Sequence, residues 1–240
     1  MIVAQFVAVI IIGYLLGSIP FGLLVGRLSG KADIRQYGSG RTGATNVLRT
    51  AGRKAALLVA ILDVGKGAVA VVFAGLIVGK SYLVVGDLAL GMLVAQVAAA
   101  LAALAGHIWP VFLRFRGGRG VATFFGGLAA LNPVAAAFGG VILLAGVGIT
   151  RFASVGSIAG AVGTCAILVP LTILNGSPVE YLAYALIGAI IIIVMHRDNI
   201  GRLVSGTERR IGEKVVLGDS PNSAHRQSKA SQETPSGGRR

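Results

Sequence analysis

The sequence predicts an all-α polytopic membrane protein with seven transmembrane helices, its N-terminus outside and its C-terminus in the cytoplasm. Of the 240 residues, 55% are hydrophobic and only 13% are charged, and the mean hydropathy is +0.81. Soluble domains are about a quarter charged. The apolar residues also collect in helix-length runs, and the basic residues cluster between those runs. Together these observations exclude soluble globular, disordered and collagen-like chains.

Apolar runs define the spans. A bilayer core about 30 Å thick takes about 20 helical residues, and five runs meet that length, at residues 2–25, 55–78, 84–105, 154–174 and 179–195. The stretch 120–149 contains Asn132-Pro133, a turn signal that divides it into a short fourth helix, 120–131, and a fifth, 133–149. The first run lacks the basic residues of a cleavable signal peptide, so we interpret it as a retained span.

Basic residues determine the number of crossings. Segments 27–54, 114–119, 151 and 197–240 hold seven, three, one and nine of the 22 Lys and Arg residues. The positive-inside rule places all four on the cytoplasmic side. Six crossings cannot achieve this, but seven can, with 80–87 and 175–180 outside.

The chain divides into one integral membrane domain, residues 1–218, and a tail, residues 219–240. The tail is rich in Ser, Gln, Pro, Gly and Arg and has no apolar period, which is typical of a disordered segment. The single cysteine, Cys165, lies in an apolar run, and we expect it to be a buried small hydrophobic residue.

The first inside loop interleaves glycine with polar and basic residues. Gly38, Gly40 and Gly43 allow the backbone to approach a ligand closely. Hydrogen bonds and positive charge are available from Ser39, Arg41, Thr42, Thr45, Asn46 and Arg49. This pattern favours an oxyanion site. The alternative is a flexible basic connector, and the spacing of a Walker loop is absent.

The second inside loop is GHIWPVFLRFRGGRGVATFFGG, residues 106–127, and its core, residues 116–120, is a glycine-rich turn directly before a helix, with Arg116 and Arg119 in it. Arginine binds phosphate with two parallel hydrogen bonds. The aromatic and aliphatic residues ahead of the turn are typical of a membrane interface: Trp109, Phe112, Leu113 and Phe115. The loop can therefore hold a phosphate whose tail lies in lipid. Simple anchoring is the alternative for the aromatics, and His107 is equally compatible with an interfacial or a functional role.

The third cluster follows the last span. His196 and Asn199, at i and i+3, share a helix face, and Arg202 lies on a nearby face. Glu208 is one carboxylate, too few for a metal site, so an ion pair with an arginine is favoured.

Within the second predicted span, Asp63 and Lys66 are three residues apart. Ionisable residues in a membrane are candidates for function, but at this spacing they can pair with each other, and structural pairing is favoured over catalysis. No signature of a nucleophilic enzyme or metalloprotease is present. Any chemistry must therefore depend on oriented phosphates and fixed positive charge.

Five sequence strings carry a resemblance to a known family. They are GSIPFG at 17–22, GSGRTGATNVLR at 38–49, DVGKG at 63–67, GHIWPVFLRFRGGRGVAT at 106–123 and HRDNIGRLVSGTE at 196–208. The chain resembles, over residues 14–214, the bacterial acylphosphate:glycerol-3-phosphate acyltransferase family (PlsY). The resemblance implies a multi-pass inner-membrane enzyme with seven helices and a cytoplasmic active site. It would transfer a fatty acyl group from acyl phosphate to the sn-1 hydroxyl of glycerol 3-phosphate, giving lysophosphatidate and phosphate, in the first acylation step of phospholipid synthesis.

By motif position, the resemblance also implies residue roles. The expected catalytic residues, which with Arg119 also bind glycerol 3-phosphate, are Ser39, Arg49, His196 and Asn199. The expected acyl phosphate site is Gly117, Gly118, Arg119 and Gly120, and Glu208 is expected to be structural. Arg41 and Arg119 stand where the family has Asn and Lys, respectively. The proton acceptor is His196 or a phosphate oxygen of the substrate, and the family resemblance favours the second.

Two other functions remain open on the sequence: an anion transporter and a non-enzymatic scaffold. A transporter would place polar residues near the bilayer midplane, often in inverted repeats. We expect no metal, nucleotide cofactor or nucleic-acid partner, and a monomer whose partners are its two substrates and the lipid bilayer.

Overall fold

The computed structural model describes residues 1–30, 33–85 and 88–213, so the predicted tail lies outside the described residues. Within these ranges there are nine α-helices and one β-hairpin. The helices are α1 Ile2–Ser18, α2 Phe21–Leu28, α3 Ala44–Val78, α4 Met92–Ile108, α5 Val121–Leu131, α6 Pro133–Thr150, α7 Ala153–Asn175, α8 Val179–Met195 and α9 Arg197–Val204, and the strands are β1 Leu83–Val85 and β2 Leu88–Leu90. Short 3₁₀ helices lie at Ile34–Gln36 and Val111–Leu113.

Five segments of the described chain are long and apolar enough to cross a membrane: Ile2–Leu28, Ala44–Val78, Met92–Leu113, Pro133–Thr150 and Ala153–Asn175. A sixth forms if α8 and α9, which are bent by 57° at a short break, count as one span. Helix α5 has 11 residues, or about 17 Å at 1.5 Å per residue, which is shorter than a bilayer core. The structure thus shows a membrane protein with five or six long spans, and a seventh crossing through α5 stays a prediction.

The start of the third predicted span, 84–105, is wrong. Residues 83–85 and 88–90 form two antiparallel strands in which Val84 pairs with Ala89, and α4 begins only at Met92. Hydropathy does not distinguish a short apolar strand from a helix, and the run Tyr82, Leu83, Val84 is rich in residues that favour strands. The hairpin is also the exception to the predicted all-α architecture.

Two other spans differ in shape from the prediction. The first is interrupted between α1 and α2 at Ile19-Pro20, because proline supplies no backbone N–H to continue the helix. The second begins at Ala44, before residue 55, and contains a kink at Gly52, where φ is 86°. Glycine adopts such positive φ values without strain. The polar residues Thr45, Asn46 and Arg49 therefore lie on a short helical stretch, and only residues 33–43 form the loop.

Small residues hold the central helices together. A Cβ at Gly13 or Gly17 of α1 would overlap the backbone of Ala99 or Ala103 in α4, and a Cβ at Gly126 of α5 would overlap the backbone of Val64 in α3. Close backbone approach at small residues is the usual basis of helix packing in membranes. It brings α1, α3, α4 and α5 together and leaves little room between them.

The basic segments meet at one end of this bundle. The Arg49 side chain donates a hydrogen bond to the Arg209 carbonyl oxygen (3.3 Å), and the Ile211 N–H donates to the Arg151 carbonyl oxygen (2.8 Å). The end of the first loop, the α6–α7 connection and the segment after α9 therefore share one face. Near it, Trp109, Phe112 and Phe115 are exposed, as expected of interfacial aromatics, whereas Leu113 is buried.

Candidate active site

A cavity of about 620 Å³ lies at this end of the bundle. Eight of the charged and hydrogen-bonding side chains that line it are called the polar part: Ser39, Arg41, Arg49, Arg119, Ser154, His196, Asn199 and Glu208. We call one face of α6 the apolar wall: Ala136, Gly140, Leu143, Leu144 and Val147. Both line the same cavity, so a ligand with a charged head and a hydrocarbon tail can contact the two at once.

Asn46 organises the first loop. Its Nδ2 donates to the carbonyl oxygens of Ile34 and Arg41 (both 2.9 Å), and its Oδ1 accepts from the Ser39 N–H (3.0 Å). These three bonds fold the loop over the first turn of α3, where Ser39 and Arg41 reach the cavity. Asn46 therefore supports the site chiefly by shaping its loop, a role that the sequence pattern did not distinguish from ligand binding.

Within the core of the second loop, residues 116–120, only Arg119 and Gly120 line the cavity. The N–H groups of Gly117 and Gly118 donate to the carbonyl oxygens of Ile108 and His107 (both 3.1 Å), so they are already used at the end of α4. Neither glycine lines the cavity, whereas Arg119 and Gly120 do. Of the four residues expected to bind acyl phosphate, Arg119 and Gly120 therefore line the cavity.

The N-terminus of α5 extends the second loop into the cavity. Its first backbone bond runs from the Phe124 N–H to the Gly120 carbonyl oxygen (2.8 Å), so the N–H groups of the preceding turn have no partner within the helix. Val121 and Ala122, in that turn, line the cavity. Helix N-termini of this kind bind anions.

Two arginines at the cavity have donor atoms that bond to none of the described residues. The Nε atoms of Arg49 and Arg119 are buried and have no hydrogen-bond partner among the described residues. Burial, and then the nearby positive charge of Arg41, lower the pKa of Arg119 to about 10. Arg119 is still protonated at neutral pH, and an anionic ligand would relieve the repulsion between the arginines.

His196 lies at the bend between α8 and α9 and is 2% exposed. Its Nδ1 is 2.7 Å from the Ile192 carbonyl oxygen. A carbonyl oxygen can only accept, so we assign the proton to Nδ1, which leaves Nε2 of the neutral ring as an acceptor. The buried Oδ1 of Asn199 is a second acceptor without a partner among the described residues. Both can accept hydrogen bonds from hydroxyl groups.

Glu208 ties the segment after α9 to the site. Its Oε1 accepts from Ser154 Oγ (3.0 Å) and from Asn199 Nδ2, and its Oε2 accepts from Arg202 Nε (2.8 Å). Burial raises the pKa of Glu208, but these hydrogen bonds, together with the charge of Arg202, outweigh it and leave the pKa below its usual value. Ser154 was missed in the sequence, where a serine beginning an apolar helix is unremarkable.

The second carboxylate, Asp63, pairs with Lys66 as its spacing predicted, at 2.9 Å. Asp63 lines the cavity, but Lys66 does not. Of the other expected site residues, the cavity brings together Ser39, Arg49, Arg119, Gly120, His196, Asn199 and Glu208 and leaves out Gly117 and Gly118. The apolar wall had no signal in the sequence, because its residues resemble those of any transmembrane helix.

Comparison with known proteins identifies the family. The family profile described as "Glycerol-3-phosphate acyltransferase" matches residues 7–206. This chain belongs to the glycerol-3-phosphate acyltransferase family. It is 63% identical over 215 residues to "Glycerol-3-phosphate acyltransferase 3" of Dehalococcoides mccartyi (strain CBDB1), covering 90% of this chain and 100% of that one. It is 44% identical over 205 residues to the glycerol-3-phosphate acyltransferase of Parasynechococcus marenigrum (strain WH8102), covering 85% and 89%.

Solved structures agree with this membership. The chain is similar to the crystal structure of PlsY (YgiH), an integral membrane glycerol 3-phosphate acyltransferase, in its glycerol 3-phosphate form. The TM-score is 0.74 at 36% identity, over 86% of this chain and 96% of that one. The lysophosphatidic acid form of PlsY gives a TM-score of 0.73 over 86% and 95%. The resemblance seen in the sequence is confirmed, and the chain is an acyltransferase, which excludes the transporter and scaffold alternatives.

Proposed function

We propose that this acyltransferase uses acyl phosphate as its donor and the sn-1 hydroxyl of glycerol 3-phosphate as its acceptor. The observation that carries this proposal is the single cavity that joins the cationic polar part to the apolar wall. Two phosphorylated reactants, one of them with a fatty chain, need that combination. The site would lie on the cytoplasmic side of the inner membrane, in a monomer with seven crossings.

In this proposal the acceptor occupies the polar part between the first loop and the α8–α9 bend. Arg49 and Ser39 bind the phosphate of glycerol 3-phosphate, and Asn199 Oδ1 and His196 Nε2 accept hydrogen bonds from its glycerol hydroxyls. The unpartnered Arg49 Nε and Asn199 Oδ1 support this placement. The glycerol 3-phosphate form of the PlsY structure, to which this chain is similar, supports glycerol 3-phosphate as the acceptor.

The donor phosphate lies at Arg119, Gly120 and the N-terminus of α5. Arg119 supplies positive charge and the helix terminus supplies N–H groups. The acyl chain then follows the apolar wall of α6 from Val147 towards Ala136. Eleven residues of helix separate these two positions, about 16 Å at 1.5 Å per residue, so the wall can contact a substantial part of a fatty chain.

The reaction needs no covalent enzyme intermediate, because acyl phosphate is an activated mixed anhydride. The sn-1 hydroxyl oxygen attacks the acyl carbon, a new ester bond forms, and the bond from the acyl carbon to the phosphate oxygen breaks. The departing phosphate takes the hydroxyl proton through one of its own oxygens. The enzyme contributes proximity between the reactants and stabilisation of negative charge, for which Arg49 and Arg119 are placed.

Purified protein in lipid nanodiscs, given acyl phosphate and glycerol 3-phosphate, tests the proposal. We expect stoichiometric release of phosphate and a lysophosphatidate that NMR identifies as the 1-acyl isomer. Acyl-CoA and acyl carrier protein thioesters should give no product, since they lack a phosphate on the reacting carbonyl. Product formed from a thioester but not from acyl phosphate would contradict the donor assignment, and a 2-acyl product would contradict the acceptor position.

A further inference from the structure

At one side of the cavity, three ionisable side chains from α3 and α4 lie in contact, and two of them, Asp63 and His107, line the cavity. Asp63, Lys66 and His107 are 1%, 5% and 6% exposed, respectively. Asp63 Oδ1 is 2.9 Å from Lys66 Nζ and 3.5 Å from His107 Nδ1. Such groups are costly inside a membrane protein and commonly have a functional role there. The proposed reaction assigns none of the three a direct part.

Lys66 connects this cluster to the first loop. Lys66 Nζ donates to the carbonyl oxygen of Ile19, at the break between α1 and α2 (3.1 Å). Beyond that break, Gly22 of α2 packs so closely on Thr42 that a Cβ at Gly22 would overlap the Thr42 carbonyl. Lys66 therefore holds the start of α2, and α2 supports the loop that carries Ser39 and Arg41.

His107 connects the cluster to the second loop. The His107 carbonyl oxygen accepts from the Gly118 N–H (3.1 Å). Its ring lies against the same glycine, because a Cβ at Gly118 would overlap His107 Nε2. The residue that follows, Arg119, enters the cavity. The position of the Arg119 backbone thus depends on where the His107 ring lies, and the ring faces Asp63.

A second, much smaller cavity shows that both loops meet at this cluster. It has a volume of about 10 Å³ and is lined by Asp63, Lys66 and His107 together with Thr42 of the first loop and Pro110 at the start of the second. A space of this size holds about one water molecule. Movement of the cluster would therefore be transmitted directly to both loops.

We propose that Asp63 and His107 are positioning residues for the acyl-phosphate site, with His107 acting on Arg119 and Gly120 through Gly118. This inference rests on the proposed function, since it takes the donor phosphate to bind at Arg119. Lys66 balances the charge of Asp63 and anchors α2. The unit contacts the second loop at Gly118, and the proposed reaction gives it no contact with the reacting atoms.

The test removes both buried charges together. Losing one partner of a buried pair leaves an uncompensated charge and is strongly destabilising, whereas replacing both is tolerated far better. The variant is therefore Asp63→Asn with Lys66→Met, in nanodiscs, and thermal unfolding is measured beside kinetics. The matched control is Asp198→Asn with Arg197→Met, which neutralises an exposed pair 3.8 Å apart on α9.

We expect the buried double variant to fold, and its KM for acyl phosphate to rise about tenfold through a displaced Arg119. Because Lys66→Met also removes the hydrogen bond that anchors α2, the KM for glycerol 3-phosphate should rise too, but by less than the KM for acyl phosphate, and kcat should stay within about twofold of wild type. The control should match wild type in all constants. A folded double variant with an unchanged KM for acyl phosphate would overturn the inference, as would equal rises in both KM values.

A second variant tests the positioning role of His107 if the double variant does not fold. Gly118→Ala leaves the charges intact and pushes the second loop away from the His107 ring. It should also raise KM for acyl phosphate selectively, and an unchanged KM would contradict the positioning role. Failure of the wild-type protein to use acyl phosphate is a separate result, which contradicts the proposed donor before any variant is compared.

Discussion

The polar part of the cavity comes from several separate segments of the chain, whereas its apolar wall comes from one face of α6. Side chains in the polar part are held by long-range hydrogen bonds, such as Ser154 to Glu208 and Arg49 to Arg209. The wall is held by the helix and by its packing on α5 and α7. Under the proposed function, the polar part determines which head groups react, and the wall determines which acyl chains fit.

The largest effect is expected in the polar part, at Arg119. Arg119→Ala removes a buried positive charge that faces the departing phosphate, and we expect kcat/KM to fall roughly 100-fold or more, the usual size for loss of a charge-stabilising donor. Arg119→Lys should recover part of this, because lysine restores the charge without the two-pronged geometry. Arg197→Ala, at an exposed position outside the cavity, serves as the control. Phosphate release measures all three, and an Arg119→Ala variant as active as the control would contradict the donor site.

Substitution of His196 should have the next largest effect on activity. The kinetics of the variant distinguish a binding role for His196 from a role in proton transfer. If a phosphate oxygen of the substrate accepts the proton, His196→Ala should raise KM for glycerol 3-phosphate about tenfold, roughly the value of one hydrogen bond to a charged or polar ligand, and leave kcat nearly unchanged. Steady-state kinetics with varied glycerol 3-phosphate measures this. Loss of kcat at unchanged KM would instead make His196 the general base.

In the apolar wall the expected change is in selectivity. Gly140 lines the cavity, and a Cβ there meets no heavy atom within 4 Å. Gly140→Leu should therefore fill the cavity without disturbing the helix, and should lower kcat/KM for long-chain acyl phosphates about tenfold relative to short ones. Gly148→Leu is the matched control, since Gly148 lies on α6, is exposed and also has free space around its Cβ position. Equal chain-length profiles for the two variants would show that the wall does not hold the chain.

The smallest effect is expected on thermal stability, when Glu208, which holds side chains of the polar part in place, is replaced. The pKa of Glu208 is lowered in the folded protein, so its contribution to stability is present above about pH 4.5, the usual value for a glutamate, and is lost as pH falls through the lower folded value. Wild type should therefore unfold at a higher temperature than Glu208→Gln at pH 7, and the difference should shrink as the pH falls below about 4.5. Thermal unfolding across this range measures it. A constant difference would mean that the charge of Glu208 does not stabilise the fold.

The sequence predicted what depends on local pattern and on charge. Hydropathy found the long spans, helical spacing found the Asp63–Lys66 pair, and the distribution of arginine predicted that the basic segments share one side. It did not predict the two strands at residues 83–85 and 88–90, because a short apolar run is ambiguous. The packing of Gly118 on the His107 ring and the contact between Ser154 and Glu208 also required the structure, since both depend on how separate segments pack together.

We expect the basic segments to meet on one side of the membrane, and cysteine labelling shows on which side each of them lies. In a Cys165→Ala background, single cysteines replace exposed residues at the basic end, Arg53, Arg116 and Arg210, or at the opposite end, Lys80 and Asn175. Intact cells are treated with a membrane-impermeant maleimide. We predict labelling at Lys80 and Asn175, and none at the three basic positions until the membrane is opened. Labelling of any one basic position in intact cells, with the others protected, would contradict the account.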